Sequence, residues 1–454
     1  MTPFPLEELV PWREPDRPAI LVAEGETWSR GRLRAERHGW RGRLGSLGLP
    51  PGAVVALWGS NSPRWIAAAL GAWAQGLVVL PLSPRWTDAE VRGVLTRVPV
   101  SLLVGDRPLV ARARSLGLQA SCLDEPTDGW DLEATSPGPL PADRLAALVP
   151  TSGTTGTPKL AMLTAEGLGT TAALTADALG LRPGDVYWLP MPLAHVGGLG
   201  AVCRALGAGA AVALPGPDAH TLTAWQTCGV THASVVPTQL LDLTASGAAA
   251  WPARLRVVLV GGAAPPPDLA ARCPAAWATY GLTEAGGTVT LGPADRAGTS
   301  GPPLAGWTIR VVDGIGRLVP AGEAGEVELR GPGLMAGYWQ DAEATAAALR
   351  EGWLRTGDLG TVDAAGRLTL HARRTDLIVS GGANVYPAEV EGALLAHPAI
   401  REAAVLGEPD PRWGQRVVAC VVLRDVVASL SLEALRTDLA TRLAGYKHPR
   451  RLVA

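Results

Sequence analysis

The strongest chemical signal in this sequence is a run of nine residues: Thr151, Ser152, Gly153, Thr154, Thr155, Gly156, Thr157, Pro158 and Lys159. Hydroxyls and backbone N–H groups can bond phosphate oxygens, glycines let the chain curl around them, and the final ammonium meets the negative charge. The spacing differs from the common G-x-x-x-x-G-K-[ST] phosphate loop. A flexible Ser/Thr/Gly linker would not need the Pro158-Lys159 ending. Lys159 and Lys447 are the only lysines among many arginines, so an ammonium kept at 159 points to chemistry rather than to a surface charge.

Other candidates are ambiguous one at a time. In Tyr280-Gly281-Leu282-Thr283-Glu284, Thr283 could be an ordinary cap at a helix start. Gly261 and Gly262, followed by Ala263, suit a strand-to-turn glycine pair as well as a close backbone approach to a ligand. Asp358, after Thr356 and Gly357, reads as a turn residue by itself. His195 precedes Val196-Gly197-Gly198-Leu199-Gly200, where missing side chains can leave room for a small molecule. Arg204 sits inside the otherwise apolar run 201–213. It could grip a carboxylate in a fork, or reach the surface from a helix.

Such residues need a frame to hold them. At 454 residues the chain exceeds one ordinary core, and two or more domains are expected. With 47% apolar and 18% charged residues and a net charge of -2, it is of the soluble globular type and carries no footprint for nucleic acid. Cys122, Cys203, Cys228, Cys273 and Cys420 lack C-x-x-C spacing, suggesting neither a zinc site nor a disulfide framework. Glu7 and Glu8 stand where a signal peptide would be basic, so a cytoplasmic protein is expected. The most apolar stretch, 65–82, is broken by Gln75, Gly76 and Pro81, and no membrane span is expected.

Apolar runs at 53–57, 77–80, 101–104, 210–214 and 257–260 alternate with helical patterns, implying mainly parallel, doubly wound α/β sheets. Asn61-Ser62-Pro63 supplies cap candidates and a first-turn proline for a helix over 65–73. The Pro/Asp/Gly/Ser-rich stretch 124–141 reads as a surface connection into the loop at Thr151. Segments 307–312, 325–329 and 368–370 suggest a β-rich subdomain. From about Thr375 a helix over 387–395 and a strand over 417–423 predict a small α+β domain, giving a large unit 1–374 and a small one 375–454.

The run Thr151 to Lys159 resembles the signature loop of the adenylate-forming superfamily of acyl-CoA ligases, peptide-synthetase adenylation domains and luciferases, and the remaining motifs follow in that family's order. One departure is Leu160, where the family usually has glycine. The resemblance implies that Thr283 meets the α-phosphate of ATP and Glu284 holds Mg²⁺, a hard cation that prefers oxygen ligands. It implies that Gly261, Gly262 and Ala263 lie against adenine, with Tyr280 and Gly281 also at the nucleotide, and that Asp358 and Arg373 reach the ribose hydroxyls. Residues 190–195 resemble the segment whose histidine lines the acyl pocket. Gly198 is expected beside the acid there.

Arg204, nine residues after His195, is similar to a basic residue of o-succinylbenzoate-CoA ligases of menaquinone synthesis, and it suits a substrate with a second carboxylate. Thr375 falls at the family's hinge, where many relatives carry Asp, and Gly381, Gly382 and Asn384 would line the CoA channel. In the family a segment like Tyr446-Lys447-His448-Pro449 is followed some twenty residues later by a Gly-Lys pair whose lysine reaches the adenylating site. The sequence ends at Ala454, so either a cut chain or a short form with altered adenylation is expected. The partners implied are a carboxylic acid, ATP, Mg²⁺ and CoA, with a homodimer possible. An acid activator serving a carrier protein and an impaired nucleotide-binding homologue are the alternatives.

Overall fold

In the computed structural model the described residues are 4–10, 14–23, 25–115, 117–125, 143–151, 158–216, 221–245, 250–262, 269–294, 298–373, 378–380, 383–385, 387–410, 413–424, 430–440, 443 and 445–453. Local signals act as their chemistry suggests. Ser62 Oγ accepts from Trp65 N at 3.2 Å, and Pro63, whose missing N–H is an orphan position anyway, opens the helix Pro63–Ala74. Thr87 and Glu90 form a reciprocal capping box for the helix Asp88–Leu95.

The described residues form four sheets. An eight-stranded sheet runs, in spatial order, Gly287–Pro293, Ala276–Leu282, Val257–Val260, His232–Val235, Val186–Trp188, Ala211–Leu214, Pro18–Val22 and Thr27–Ser29. Its six inner strands are parallel and both edge pairs are antiparallel. A six-stranded sheet runs Ala120–Cys122, Val100–Gly105, Val54–Trp58, Val78–Leu82, Leu145–Thr151 and Lys159–Thr164, parallel except for the last pair. Continuous apolar runs such as Val54–Trp58 are buried along their whole length because helices cover both faces of such sheets.

The strands Thr308–Val312, Gly325–Arg330, Trp353–Val362 and Leu368–Arg373 make an antiparallel sheet of the β-rich kind expected from segments 307–312, 325–329 and 368–370. Beyond it, Ile378–Ser380, Ala383–Val385, Ile400–Asp410, Gly414–Leu423 and Arg451–Val453 form a sheet with its own core of Ile378, Val390, Leu394, Ile400, Leu435 and Leu439. The core of the larger part relies on tryptophan, with 16 Trp against one Phe. Trp58 and Trp73 donate their indole N–H to Ser83 O and Ala146 O, each at 3.0 Å, whereas the buried indole N–H groups of Trp40, Trp225 and Trp307 have no acceptor among the described residues. Among the described residues no helix is long and apolar enough to cross a membrane.

Candidate active site

Strand order decides where the motifs meet. After Val186–Trp188 the chain builds one way, to Ala211–Leu214, and then the other way, through His232–Val235, Val257–Val260 and Ala276–Leu282. Open α/β sheets bind ligands in the crevice at the carboxyl ends of the strands beside such a reversal. Residues 190–195, Gly261-Gly262 and Thr283-Glu284 all follow strands at that edge. The signature run belongs to the six-stranded sheet, where Thr151 and Lys159 face each other across an antiparallel pair. Ser152, Gly153, Thr154, Thr155, Gly156 and Thr157 lie outside the described residues.

Lys159 and Glu284 come from different sheets and meet at Tyr338, a residue the sequence reading passed over. The Tyr338 hydroxyl donates to Glu284 Oε1 at 2.9 Å, and the Lys159 ammonium lies 5.0 Å from the centre of its ring. Burial and the Glu284 carboxylate both push the phenol pKa up, keeping it a donor. Glu284 is half-buried. Among the described residues no group of three or more His, Cys, Asp or Glu could hold a metal. A single carboxylate oxygen fits a hard cation such as Mg²⁺ that draws its other ligands from phosphate and water. Leu160, in place of the family's glycine, is 2% exposed and packs in the core beside Lys159.

Tyr280 and Asp358 also meet across a long chain separation, the Tyr280 hydroxyl donating to Asp358 Oδ2 at 2.6 Å. Asp358 stands opposite Arg373 in strand register; the Arg373 side chain lies outside the described structure. The glycines are required by close approach. A Cβ at Gly281 would lie 2.1 Å from Gly287 O, and one at Gly261 would lie 2.4 Å from Thr279 Cγ2. Gly262 has φ +83°, a left-handed conformation that favours glycine. Ala263, Thr375, Gly381 and Gly382 lie outside the described residues, and of Asn384 the backbone alone is placed, paired with Val379.

His195 caps the helix Val196–Gly207 through its backbone alone. Its side chain is exposed, yet burial by the surrounding protein lowers its pKa. Asn61, expected as a cap candidate, instead latches this segment: its amide donates to Met191 O at 2.8 Å and its oxygen accepts from Leu193 N at 2.9 Å. The glycines divide in role. At Gly200 a Cβ would meet nothing within 4 Å, but at Gly198 it would lie 2.2 Å from Pro192 O. Open space therefore lies beside Gly200, and the missing side chain of Gly198 serves backbone packing.

Arg204 does not reach the surface, the alternative left open by its helical setting; it is 4% exposed. It makes two long hydrogen bonds, to Thr288 Oγ1 at 3.3 Å and Gly197 O at 3.5 Å, and faces the Tyr187 ring at 5.5 Å. Its Nε has no partner, and among the described residues no carboxylate pairs with it. A buried guanidinium with no carboxylate beside it among the described residues is costly in the free protein. Thr288 lies on the strand Gly287–Pro293, so Arg204 contacts the element that directly follows the Tyr280–Glu284 motif. The neighbouring Cys203 is no nucleophile, because burial pushes its thiol up to about 12.

Fold and site together define a nucleotide-using, acid-activating ligase of the adenylate-forming class. The chain belongs to the AMP-binding enzyme family: that family's model matches residues 10–339, and the AMP-binding enzyme C-terminal domain matches residues 389–454. It is 34% identical to the 2-succinylbenzoate–CoA ligase of Bacillus cereus strain Q1, over 96% of this chain and 91% of the relative. It is 36% identical to a feruloyl-CoA synthase of an Amycolatopsis species, over 90% and 86%. Two solved structures cover all of it at a TM-score of 0.89 and 29% identity: the o-succinylbenzoate CoA synthetase of Bacillus subtilis with its acyl-adenylate intermediate, spanning 94% of that chain, and ATP-bound MatB of Rhodopseudomonas palustris, spanning 95%.

Proposed function

We propose that this enzyme activates o-succinylbenzoate with ATP and transfers the acyl group to CoA, a step of menaquinone synthesis. The observation that carries the choice of acid is Arg204, a buried cation lacking a carboxylate partner among the described residues. An acid with a second carboxylate supplies that partner, and a planar guanidinium binds it in a fork. Relatives that bear this substrate's name align over 96% of the chain.

The chemistry is two displacements. The substrate carboxylate attacks the α-phosphorus of ATP and pyrophosphate leaves; the CoA thiol then attacks the mixed anhydride and AMP leaves. Lys159 and the hydroxyls of residues 151–157 hold the β and γ phosphates, Thr283 the α-phosphate and Glu284 the Mg²⁺, which spreads the phosphate charge when bound. Gly261, Gly262 and Ala263 flank adenine, while Asp358 and Arg373 take the ribose. His195, neutral at pH 7 given its lowered pKa, and Arg204 face the acid, with Gly200 leaving it space. For thioester formation the small unit, 375–454, turns about Thr375 so that Gly381, Gly382 and Asn384 line the CoA path, and proximity does most of the work. Dependence on ATP and CoA and the scattered, free cysteines Cys122, Cys203, Cys228, Cys273 and Cys420 fit a cytoplasmic setting.

A second reading, an aryl acid with a neutral tail, is favoured by the likeness to feruloyl-CoA synthases. The two separate in one assay of AMP and pyrophosphate formation with ATP, Mg²⁺, CoA and a panel of acids. Selective turnover of the diacid supports the first reading. Preference for a monocarboxylic aryl acid overturns it, and turnover only with a carrier protein as acceptor removes CoA from it.

A further inference from the structure

We propose that Tyr338 is a positioning residue that sets the spacing between the Glu284 carboxylate and the Lys159 ammonium; this rests on the reading of those two groups as the metal and phosphate holders. Lys159 starts a strand of the six-stranded sheet and Glu284 lies on the 3-10 turn Thr283–Ala285 that links two strands of the eight-stranded sheet, so neither sheet alone can fix their separation. Tyr338 touches both: its hydroxyl occupies one oxygen of Glu284 at 2.9 Å, and its ring lies under the Lys159 ammonium at 5.0 Å. With one oxygen held by a phenol donor, the Glu284 carboxylate stays oriented with its other oxygen available to a cation.

The residue is itself over-determined, as a positioning group must be. Tyr338 is 9% exposed and forms an antiparallel bridge with Ala161 on the Lys159 strand. Around it, Met162 N donates to Gly337 O at 2.9 Å and Trp339 N to Leu160 O at 2.9 Å. On the other side Met335 N donates to Glu284 O at 2.8 Å, so the same short segment is laced to both sheets. Tyr338 N donates to Thr345 Oγ1 at 2.8 Å. The Trp339 indole donates to Arg97 O at 3.1 Å, and the Arg97 guanidinium donates to Pro158 O, the residue before Lys159. Pro158, the Tyr338 ring and the Glu284 carboxylate are thus tied together by one set of hydrogen bonds.

The test uses the full chain with Tyr338→Phe, Tyr338→Leu and Glu284→Gln, following ATP binding by calorimetry with and without Mg²⁺ beside the Mg²⁺ dependence of pyrophosphate release. Tyr338→Phe keeps the ring and loses the hydroxyl. It should raise the Mg²⁺ needed for half-maximal rate about tenfold, the scale of a hydrogen bond to a charged group, while Mg²⁺-free ATP binding stays within about twofold. Tyr338→Leu, which also removes the ring, should weaken Mg²⁺-free ATP binding by a further three- to tenfold or so. Adding Tyr338→Phe to Glu284→Gln should change the Mg²⁺ response little, because the carboxylate that the hydroxyl orients is already gone. A wild-type Mg²⁺ response in Tyr338→Phe, with Glu284→Gln strongly shifted, overturns the positioning role alone. An unshifted Glu284→Gln overturns the metal reading and the proposal with it. Equal losses with and without Mg²⁺, accompanied by a lower melting temperature, show a merely structural tyrosine.

Discussion

Replacing Arg204 by methionine should move activity and stability in opposite directions. Methionine keeps a flexible, unbranched stem of similar length and removes the charge. In the free enzyme the guanidinium is 4% exposed, its hydrogen bonds are long at 3.3 and 3.5 Å, its Nε is unpartnered, and a tyrosine ring at 5.5 Å offsets the buried charge only modestly. Exchanging an uncompensated buried charge for an apolar side chain is neutral or stabilising, so the melting temperature should hold within about 2 °C or rise. The diacid complex behaves otherwise. Removing one partner of a buried charge pair costs about 3–5 kcal/mol, roughly 150- to 5,000-fold in kcat/KM for o-succinylbenzoate. A monocarboxylic aryl acid should lose less than about threefold. The assay is coupled pyrophosphate release with each acid, alongside thermal unfolding of the same preparations. A melting temperature several degrees lower, with equal losses for mono- and diacids, would refute the reasoning and make Arg204 a packing residue.

Three further outcomes follow from particular contacts. Asn61→Ala removes both bonds to residues 191 and 193, about 1–3 kcal/mol together, and should raise KM for the acid about tenfold while calorimetric ATP binding is unchanged; a change in ATP affinity instead would place Asn61 elsewhere in the cycle. Gly281→Ala drives a Cβ to within 2.1 Å of Gly287 O, so the Thr283-Glu284 turn must shift and adenylate formation should fall by at least about a hundredfold, whereas near-normal rates would show the turn to be free to adjust. Stability should fall with acid below the ordinary histidine range. Burial, the leading cause in each case, lowers the pKa of His38, His195, His232 and His371, so the unfolded chain binds more protons than the native state between the folded values and about 6.5. Denaturant midpoints should therefore be insensitive to these groups above about pH 7 and decline as pH drops from about 6.5 to 5; a midpoint that rises on acidification contradicts this sign.

Much of the frame is written locally. Apolar runs of strand length alternating with amphipathic helices make a doubly wound fold the economical outcome, and the runs expected at 210–214 and 257–260 are observed as Ala211–Leu214 and Val257–Val260. The run from Thr151 to Lys159 stands out in the sequence because its hydroxyls, glycines and ammonium lie in adjacent residues. Contacts between distant residues are a different matter. Nothing in Gly337-Tyr338-Trp339 beyond an aromatic pair after a glycine announces that Tyr338 will bond Glu284, 54 residues away. Asn61 read naturally as a cap, and only the tertiary approach of the segment ending at His195 gave its amide Met191 and Leu193 as partners. The sequence also treated the glycines after His195 alike, although Gly198 is filled by Pro192 and Gly200 is open.

By itself, then, the sequence determined the fold class, the order of the motifs and the ammonium at Lys159, because propensity, periodicity and short-range spacing act over a few residues. Tertiary structure decided which charged groups are buried and what they meet. Arg204 could have reached water from its helix; it became a buried cation with no carboxylate partner among the described residues because the helix Val196–Gly207 packs that face against Thr288 and Tyr187. Burial is a property of the whole assembled surface, and no count along one segment contains it.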